Sequence, residues 1–140
     1  MQLLNLQFES NLCFEQNEMW DLATQNNWGT QIRGVMSRGL LSGKYFARNP
    51  EFASDDHRSI HCHSDDYTKY SALQDLLPEG MSMSQAAVRW VLEHDQAHTI
   101  CMGAKNLTDY KTALAALDQP PLGPELSKAL GLKARELHAQ

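Results

Sequence analysis

The chain has 140 residues, of which 42% are hydrophobic and 21% are charged, proportions typical of one globular domain rather than of a disordered chain. The formal net charge of -5 argues against a general nucleic-acid or anionic-membrane binder, because either would need a basic surface. No apolar run approaches the roughly 18 residues of a membrane span, and the three cysteines are widely spaced and suit reduced thiols, so we expect a cytoplasmic protein.

The first part of the chain alternates strand and helix patterns. An apolar run predicts a buried strand from Leu3 to Phe8. A helix is predicted to begin at Asn17 and to end at Gly29, with one apolar side formed by Met19, Trp20, Ala23 and Trp28. A second strand is predicted from Ile32 to Met36, and it leads into a glycine-rich loop.

That loop, GVMSRGLLSGKY at residues 34–45, combines glycines, hydroxyls and cations in a pattern typical of phosphate binding. It is not the nucleoside-triphosphate loop, which needs four residues between its first glycine and a Gly-Lys pair that Ser or Thr follows. Here three residues separate Gly39 from Gly43, and Tyr45 follows Lys44. The loop therefore indicates a phosphate site of another kind.

Residues 46–70 have no hydrophobic periodicity and are predicted to form a long surface loop. The loop is rich in groups that bind transition metals, namely Asp55, Asp56, His57, His61, Cys62, His63, Asp65 and Asp66. Their spacing matches no standard metal site, so we interpret them as a solvated loop with no metal. A nucleophilic pair of Cys62 with a neighbouring histidine is disfavoured as well, because adjacent loop residues rarely reach catalytic geometry.

The second half of the chain carries two strong helix signals. Ser82 and Gln85 have the spacing of a capping box ahead of an apolar helical pattern. Asn106 is predicted to cap a later helix, whose apolar stripe is Leu107, Tyr110, Leu114 and Leu117. A third strand is predicted from Thr99 to Met102, and Pro124 begins a terminal helix. Strands that alternate with helices predict parallel pairing in an α/β fold.

Four motifs occur in the order and spacing of the aldo-keto reductase family, namely GLLSGKY, DDHRS, SMSQAAVRWVLEH and ICMGAKNLTDYKTALAAL. The whole chain resembles the C-terminal part of that fold. The resemblance implies a partial (β/α)8 TIM barrel, with about three parallel β/α units plus a C-terminal helix in a single domain of residues 1–140. It also implies an oxidoreductase that reduces carbonyls with NADP(H), or with NAD(H). In such barrels the loops after strands seven and eight hold phosphate.

The resemblance assigns the cofactor pyrophosphate to the glycine-rich loop. The segment that wraps the pyrophosphate matches Met36, Ser37, Arg38 and Gly39. Arg33 stands where many members place an aromatic residue that stacks on the nicotinamide, and a planar guanidinium can also stack. Asn5 falls near the position of a glutamine that contacts the nicotinamide amide.

The loop after the third strand is expected to meet the adenosine end of the cofactor. The segment beneath the 2'-phosphate matches Gly103, Ala104 and Lys105, with the lysine as its cation. Asp109 stands where the family usually has Arg or Gln, and Ala113 where it often has Asn. An acid at the third helical position stabilises the helix dipole, but it would also repel a phosphate, so both NADP and NAD stay open as the cofactor.

The family's catalytic Asp, Tyr, Lys and His lie in the first half of the barrel, and no residue here matches them. Three strands cannot close a barrel, so exposed strand edges and an apolar inner sheet face are expected to associate with another copy or with a partner chain. Three functions stay open: the cofactor-binding portion of an oxidoreductase that is inactive alone, a non-enzymatic interaction module, or one half of an enzyme completed in trans.

Overall fold

The computed structural model describes residues 4–62 and 66–140, without the side chain of His61. Its strands and α-helices in chain order are β1 (Asn5–Glu9), α1 (Asn17–Asn26), β2 (Gly29–Arg33), α2 (Arg58–His61), α3 (Met83–Leu92), β3 (Thr99–Ile100), α4 (Leu107–Leu114) and α5 (Pro124–Ala139). Segments of 3₁₀ helix also span Ser37–Gly39, Thr68–Leu76 and Ala115–Asp118. No helix among the described residues is long and apolar enough to cross a bilayer.

The strands form one parallel sheet in the order β1-β2-β3. The predicted α/β architecture with parallel strands in chain order is confirmed, and the sheet is open rather than closed into a barrel. The predicted boundaries of the second strand were wrong, since β2 covers Gly29–Arg33 instead of Ile32 to Met36. The strand stops where it does because Gly34 has a φ of 71°, which interrupts the extended backbone.

The two faces of the sheet differ in polarity. The face against the helices buries Phe8, Thr30 and Ile32. On the opposite face, Gln7 donates a hydrogen bond of 2.6 Å to Gln31, and Arg33 forms an ion pair of 2.9 Å with Glu9. The expected apolar inner face was therefore wrong, because strand residues alternate sides and the second set is polar. Such cross-strand polar pairs suit a surface in contact with water.

Helix α3 is the central helix of the core, and its predicted capping box is confirmed. The Gln85 backbone N–H donates to Ser82 Oγ, and the Ser82 N–H donates to Gln85 Oε1 at 2.8 Å. The helix buries Met83, Ala86, Ala87, Val88, Trp90 and Val91. Asn106 also caps α4 as predicted, because its Oδ1 accepts from the Asp109 N–H at 2.9 Å.

Helix α4 turns its large apolar side chains away from the core. Its buried positions, with those of the 3₁₀ turn that follows, are Ala113 and Ala116. The residues at 107, 110, 114 and 117 have the predicted helical spacing, and each is 45–66% exposed. Helix α3 contacts α4 and the following turn. We attribute this arrangement to the alanines, because small side chains let two helices approach closely.

Within residues 46–62 and 66–70, the structure is more ordered than the predicted surface loop. Besides α2, the segment buries Phe46, Cys62, Tyr67 and Tyr70. The Tyr67 ring makes edge contacts with the rings of Tyr45 at 5.3 Å and Phe52 at 5.9 Å. These aromatic residues have no regular spacing in the sequence, so no period indicated their burial.

The tryptophans divide into two groups by burial. Trp20 and Trp90 are buried, whereas Trp28 is only partly buried and lies outside the core cluster. The ring of His94 stacks on Trp20 at 4.4 Å and meets the edge of Trp90 at 4.7 Å. The histidine therefore belongs to the packing between α1 and α3.

Candidate functional site

The loops that follow β2 and β3 form two walls of one cleft of about 860 Å³. They meet because parallel strands end at the same edge of a sheet, so both loops leave from that edge. Seven of the predicted site residues line the cleft, namely Met36, Arg38, Gly39, Gly103, Ala104, Lys105 and Asp109. The structure thus brings together two segments that are more than 60 residues apart in the sequence.

Three other candidates lie away from the cleft lining. Ser37 is 8% exposed and is buried beneath the loop. Arg33 points to the open face of the sheet, where it pairs with Glu9. Asn5, at the start of β1, is exposed. The backbone of the Ser37 segment therefore contributes to the wall, but the side chains of these three residues do not.

The glycine-rich wall has a left-handed backbone at consecutive residues. Ser37 has a φ of 44°, Arg38 of 56° and Gly39 of 106°. For residues other than glycine this conformation costs roughly 1–2 kcal/mol each, so the surrounding contacts must hold it in place. Two backbone hydrogen bonds close the turn. The N–H groups of Gly39 and Leu41 donate to Met36 O at 2.9 Å and 3.2 Å, respectively. Such strain motivates the hypothesis of a binding site here.

Two ion pairs connect the walls across the cleft. Lys105 Nζ lies 2.7 Å from Asp56 Oδ2, and Lys44 pairs with Asp109. Arg58 also binds Asp56 through two hydrogen bonds of 3.0 and 2.7 Å. The hydrogen bonds from Arg58 and then Lys105 hold the pKa of the Asp56 carboxyl well below its usual range. The hydrogen bond from Lys44 lowers the pKa of Asp109 in the same way.

The Lys44 pair changes the interpretation of Asp109. The sequence predicted that this carboxylate would repel a phosphate at the cleft, but a cation lies directly against it. Together the two charges are neutral, which weakens the expected repulsion. Sequence reasoning placed Lys44 in the glycine-rich loop, yet nothing in the sequence indicated that its side chain would reach Asp109 on α4.

Sequence reasoning placed Tyr45 in the glycine-rich loop, but it missed that Arg58 belongs to the cleft. Arg58 is packed between groups, since its Cζ lies 4.2 Å from the centre of the Phe52 ring and its side chain is 12% exposed. A Cβ atom at Gly39 would lie 3.3 Å from Tyr45 and 3.5 Å from Arg58. The DDHRS motif was the available signal, but it was interpreted only as a loop.

The metal and nucleophile alternatives concern residues 55–66. Within residues 4–62 and 66–140, no group of three or more His, Cys, Asp or Glu side chains could hold a metal ion. His63 and Asp65, and the side chain of His61, lie outside the described residues. Asp66 accepts hydrogen bonds from Thr68 and Asn49, which lower its pKa.

Cys13, at another site, is a free thiol, and its burial raises its pKa to about 11.

We expect Gly34→Ala to destabilise the chain by about 1–2 kcal/mol, because the residue has a positive φ and an added Cβ would lie 2.8 Å from Glu9 Cγ and Cδ. The matched control is Gly103→Ala on the opposite wall, where a Cβ meets no atom within 4 Å. Urea unfolding of both variants measures the difference. Equal losses of stability in the two variants would contradict the role assigned to Gly34.

The comparisons with known proteins agree with this geometry. The family model described as "Aldo/keto reductase family" matches residues 1–130. The structure of the glycerol dehydrogenase AKR11B4 from Gluconobacter oxydans is similar, with 26% identity, a TM-score of 0.75, and coverage of 94% of this chain and 42% of that chain. The aldo-keto reductase AKR11C1 from Bacillus halodurans has the same fold, with 21% identity, a TM-score of 0.65, and coverage of 96% of this chain and 42% of that chain. A search of curated proteins found no match.

This chain thus spans less than half the length of the solved structures that it resembles. Its open sheet agrees with that coverage, since a TIM barrel has eight parallel strands and this sheet has three. The chain belongs to the aldo/keto reductase family, and it forms a partial, open portion of that family's barrel.

Proposed function

We propose that the chain binds a nicotinamide dinucleotide, NADP(H) or NAD(H), as the cofactor-binding portion of an aldo-keto reductase-type oxidoreductase. The observation that supports this most is the convergence of the loops after β2 and β3 on one cleft that is lined by Arg38, Lys44, Arg58 and Lys105. Four cations at the carboxyl ends of parallel strands suit a ligand with several phosphates. Asp56 and Asp109 pair with three of these cations, so four positive charges less two negative charges leave an excess of two, which is local to the cleft because the net charge of the whole chain is negative.

The residues present fit such a cofactor in size and chemistry. A cleft of about 860 Å³ lies within the range of small-molecule sites, roughly 300–1,000 Å³. Gly103 leaves the backbone open to close approach by a phosphate, since a Cβ atom there would meet no atom within 4 Å. Lys44 and Lys105 are 45% and 66% exposed, so each ammonium group can contact a phosphate while it stays beside its carboxylate partner. The bound cofactor would supply the hydride in carbonyl reduction, and this chain would hold and orient it.

We further propose that the chain alone does not reduce carbonyls. The resemblance places the family's proton-donating tyrosine and its lysine in the half of the barrel that this chain does not match. Tyr45 and Lys44 have suitable side chains and line the cleft. However, the Tyr45 ring packs against Phe52 and Tyr67, and Lys44 pairs with Asp109, so Tyr45 and Lys44 are not arranged as a proton-donating pair.

We also propose a cytoplasmic site of action, which the free cysteines support.

A second candidate function is a non-enzymatic interaction module in which the cleft no longer binds cofactor. The exposed apolar residues of α4 favour this alternative, because such patches commonly mark interaction surfaces. Dinucleotide binding distinguishes the two functions, since only the first requires it.

Titration calorimetry of the wild type with NADP and NAD at fixed low salt tests the proposal. We expect weak binding, and we expect Lys105→Ala to weaken NADP binding several-fold to about tenfold while it leaves NAD nearly unchanged, because an exposed lysine is screened but still meets the 2'-phosphate. Asp109→Arg should strengthen NADP binding selectively, since it replaces an anion by a cation beside Lys44. The matched control is Lys111→Ala, an exposed lysine of α4 outside the cleft.

Two results would refute the cofactor site. The first is a wild type that binds neither dinucleotide at millimolar concentration. The second is an equal effect of Lys105→Ala and Lys111→Ala on NADP binding, which would show that overall charge, rather than the cleft, determines affinity.

A further inference from the structure

The exposed apolar residues of α4 and of the turn that follows it form one continuous strip on the molecule. This α4 stripe consists of Leu107, Tyr110, Leu114 and Leu117, which are 66%, 45%, 45% and 62% exposed. Their spacings of three, four and three residues place them on one face of a helix. The residues of α4 that line the cleft are Thr108, Asp109, Thr112 and Ala113, so the stripe lies outside the candidate cofactor site.

The stripe makes α4 apolar on two sides. Ala113 and Ala116 are buried on one side, and the stripe occupies another. Helices that are apolar on two sides normally lie between two neighbours, whereas a helix at the surface of a domain carries charged residues on its outer face. Within the described part of the chain, α3 contacts α4 at its alanine side and Lys44 pairs with Asp109, while the four residues of the stripe stay 45–66% exposed.

Strand β3, which precedes α4, has a free edge. In the order β1-β2-β3, the last strand pairs with β2 on one side, and no described strand pairs with its other edge. Strand β3 leads directly into α4, so the free edge and the stripe belong to one β/α unit. A partner that covers both must present a strand parallel to β3 and, beside it, a helix with an apolar face.

The open face of the sheet is a poor candidate for the attachment surface. Its cross-strand pairs, Gln7 with Gln31 and Glu9 with Arg33, already satisfy one another and would lose water on burial. Burial of the α4 stripe instead lowers the free energy, because its side chains are apolar. The stripe is therefore the part of this edge that favours association.

We propose that the α4 stripe and the free edge of β3 dock the remaining β/α units of an aldo-keto reductase barrel. The solved relatives support this occupant, since the chain covers 42% of each and the rest of those chains supplies what closes the sheet. A second copy fits less well, because a two-fold related copy would pair β3 antiparallel to itself and would bring the total to only six strands. This inference rests on the proposed function, since it treats the chain as one portion of a barrel enzyme.

The test uses the part of the Gluconobacter oxydans glycerol dehydrogenase that the structural match leaves uncovered as the docking probe. The probe is co-expressed with the wild type, with the double variant Leu114→Lys and Leu117→Lys, or with the control Leu132→Lys. Leu132 is also exposed, at 55%, but lies on α5 outside the stripe. We expect a one-to-one complex in sedimentation velocity with the wild type and the control, and at least tenfold less complex with the double variant.

Two further measurements make the test specific. The intact glycerol dehydrogenase should form no complex, because its own portion that matches this chain already occupies the docking position. On the chain alone, the fluorescence of an apolar dye should fall in the double variant and stay unchanged in the control. The proposal is overturned if the wild type forms no complex with the probe, if the double variant forms as much complex as the wild type, or if the double variant binds as much dye.

Dinucleotide titration separates this inference from the proposed function. The double variant should bind cofactor like the wild type, because its altered residues do not line the cleft. Cofactor binding without docking would reject only the docking surface. Docking without cofactor binding would reject only the cofactor site and would favour the interaction module.

Discussion

Replacing Tyr67 by alanine is expected to lower the free energy of unfolding by about 3–5 kcal/mol, a large share of the 5–15 kcal/mol that typical domains possess. The ring is 1% exposed and contacts the rings of Tyr45 and Phe52, so its removal leaves a cavity that rigid neighbours cannot fill. Urea unfolding measures the change. Because a Cβ at Gly39 would lie 3.7 Å from the Tyr67 ring, we also expect the variant to loosen the glycine-rich wall and to bind dinucleotide less well.

The control is Tyr67→Phe, which keeps the ring and removes the hydroxyl. The hydroxyl lies 3.5 Å from Arg38 O. A neutral hydrogen bond contributes roughly 0.5–1.5 kcal/mol, so we expect a smaller loss than in Tyr67→Ala. A loss in Tyr67→Ala as small as in Tyr67→Phe would show that residues 46–70 are not part of the folded core.

The second large effect is catalytic. The purified chain is expected to show no NADPH-dependent reduction of aldehydes above background, because a positioned general acid is worth roughly 10²–10⁴ in rate and the described cleft does not provide one. The measurement is NADPH oxidation with several carbonyls after rigorous removal of host reductases. Tyr45→Phe is the informative variant, since Tyr45 is the tyrosine of the cleft wall. Turnover that disappears in Tyr45→Phe would identify that residue as an acid and would contradict the proposal.

Local signals predicted the helices well. The capping residues Ser82 and Asn106 form the hydrogen bonds that their spacing indicated, because an N-cap depends on residues three positions apart. Parallel pairing was predicted from the alternation of strands and helices, because a helix between two strands returns the chain to the end of the sheet where the first strand began. The end of β2 was placed incorrectly, since Val35 and Met36 continue the apolar pattern after Gly34 has turned the backbone.

The candidate site was predicted only as two separate loops. The residues of each loop could be assigned through the resemblance to the family, and seven of them line the cleft. Its ion pairs could not be predicted, because Lys105 and Asp56 are 49 residues apart and no local rule connects them. Arg58 was missed for the same reason, since its place in the wall depends on the aromatic rings of Phe52 and Tyr45.

The sequence by itself determined the order of the strands and of the longer helices and the class of the fold, because capping and periodicity act over a few residues and the alternation of strands with helices is visible along the chain. Only the tertiary structure decided which apolar residues are buried. Leu107, Tyr110, Leu114 and Leu117 have the spacing of a core stripe, yet they are exposed, while Ala113 and Ala116 are buried. Periodicity shows that a face is apolar, but burial also depends on which neighbour is present to cover it.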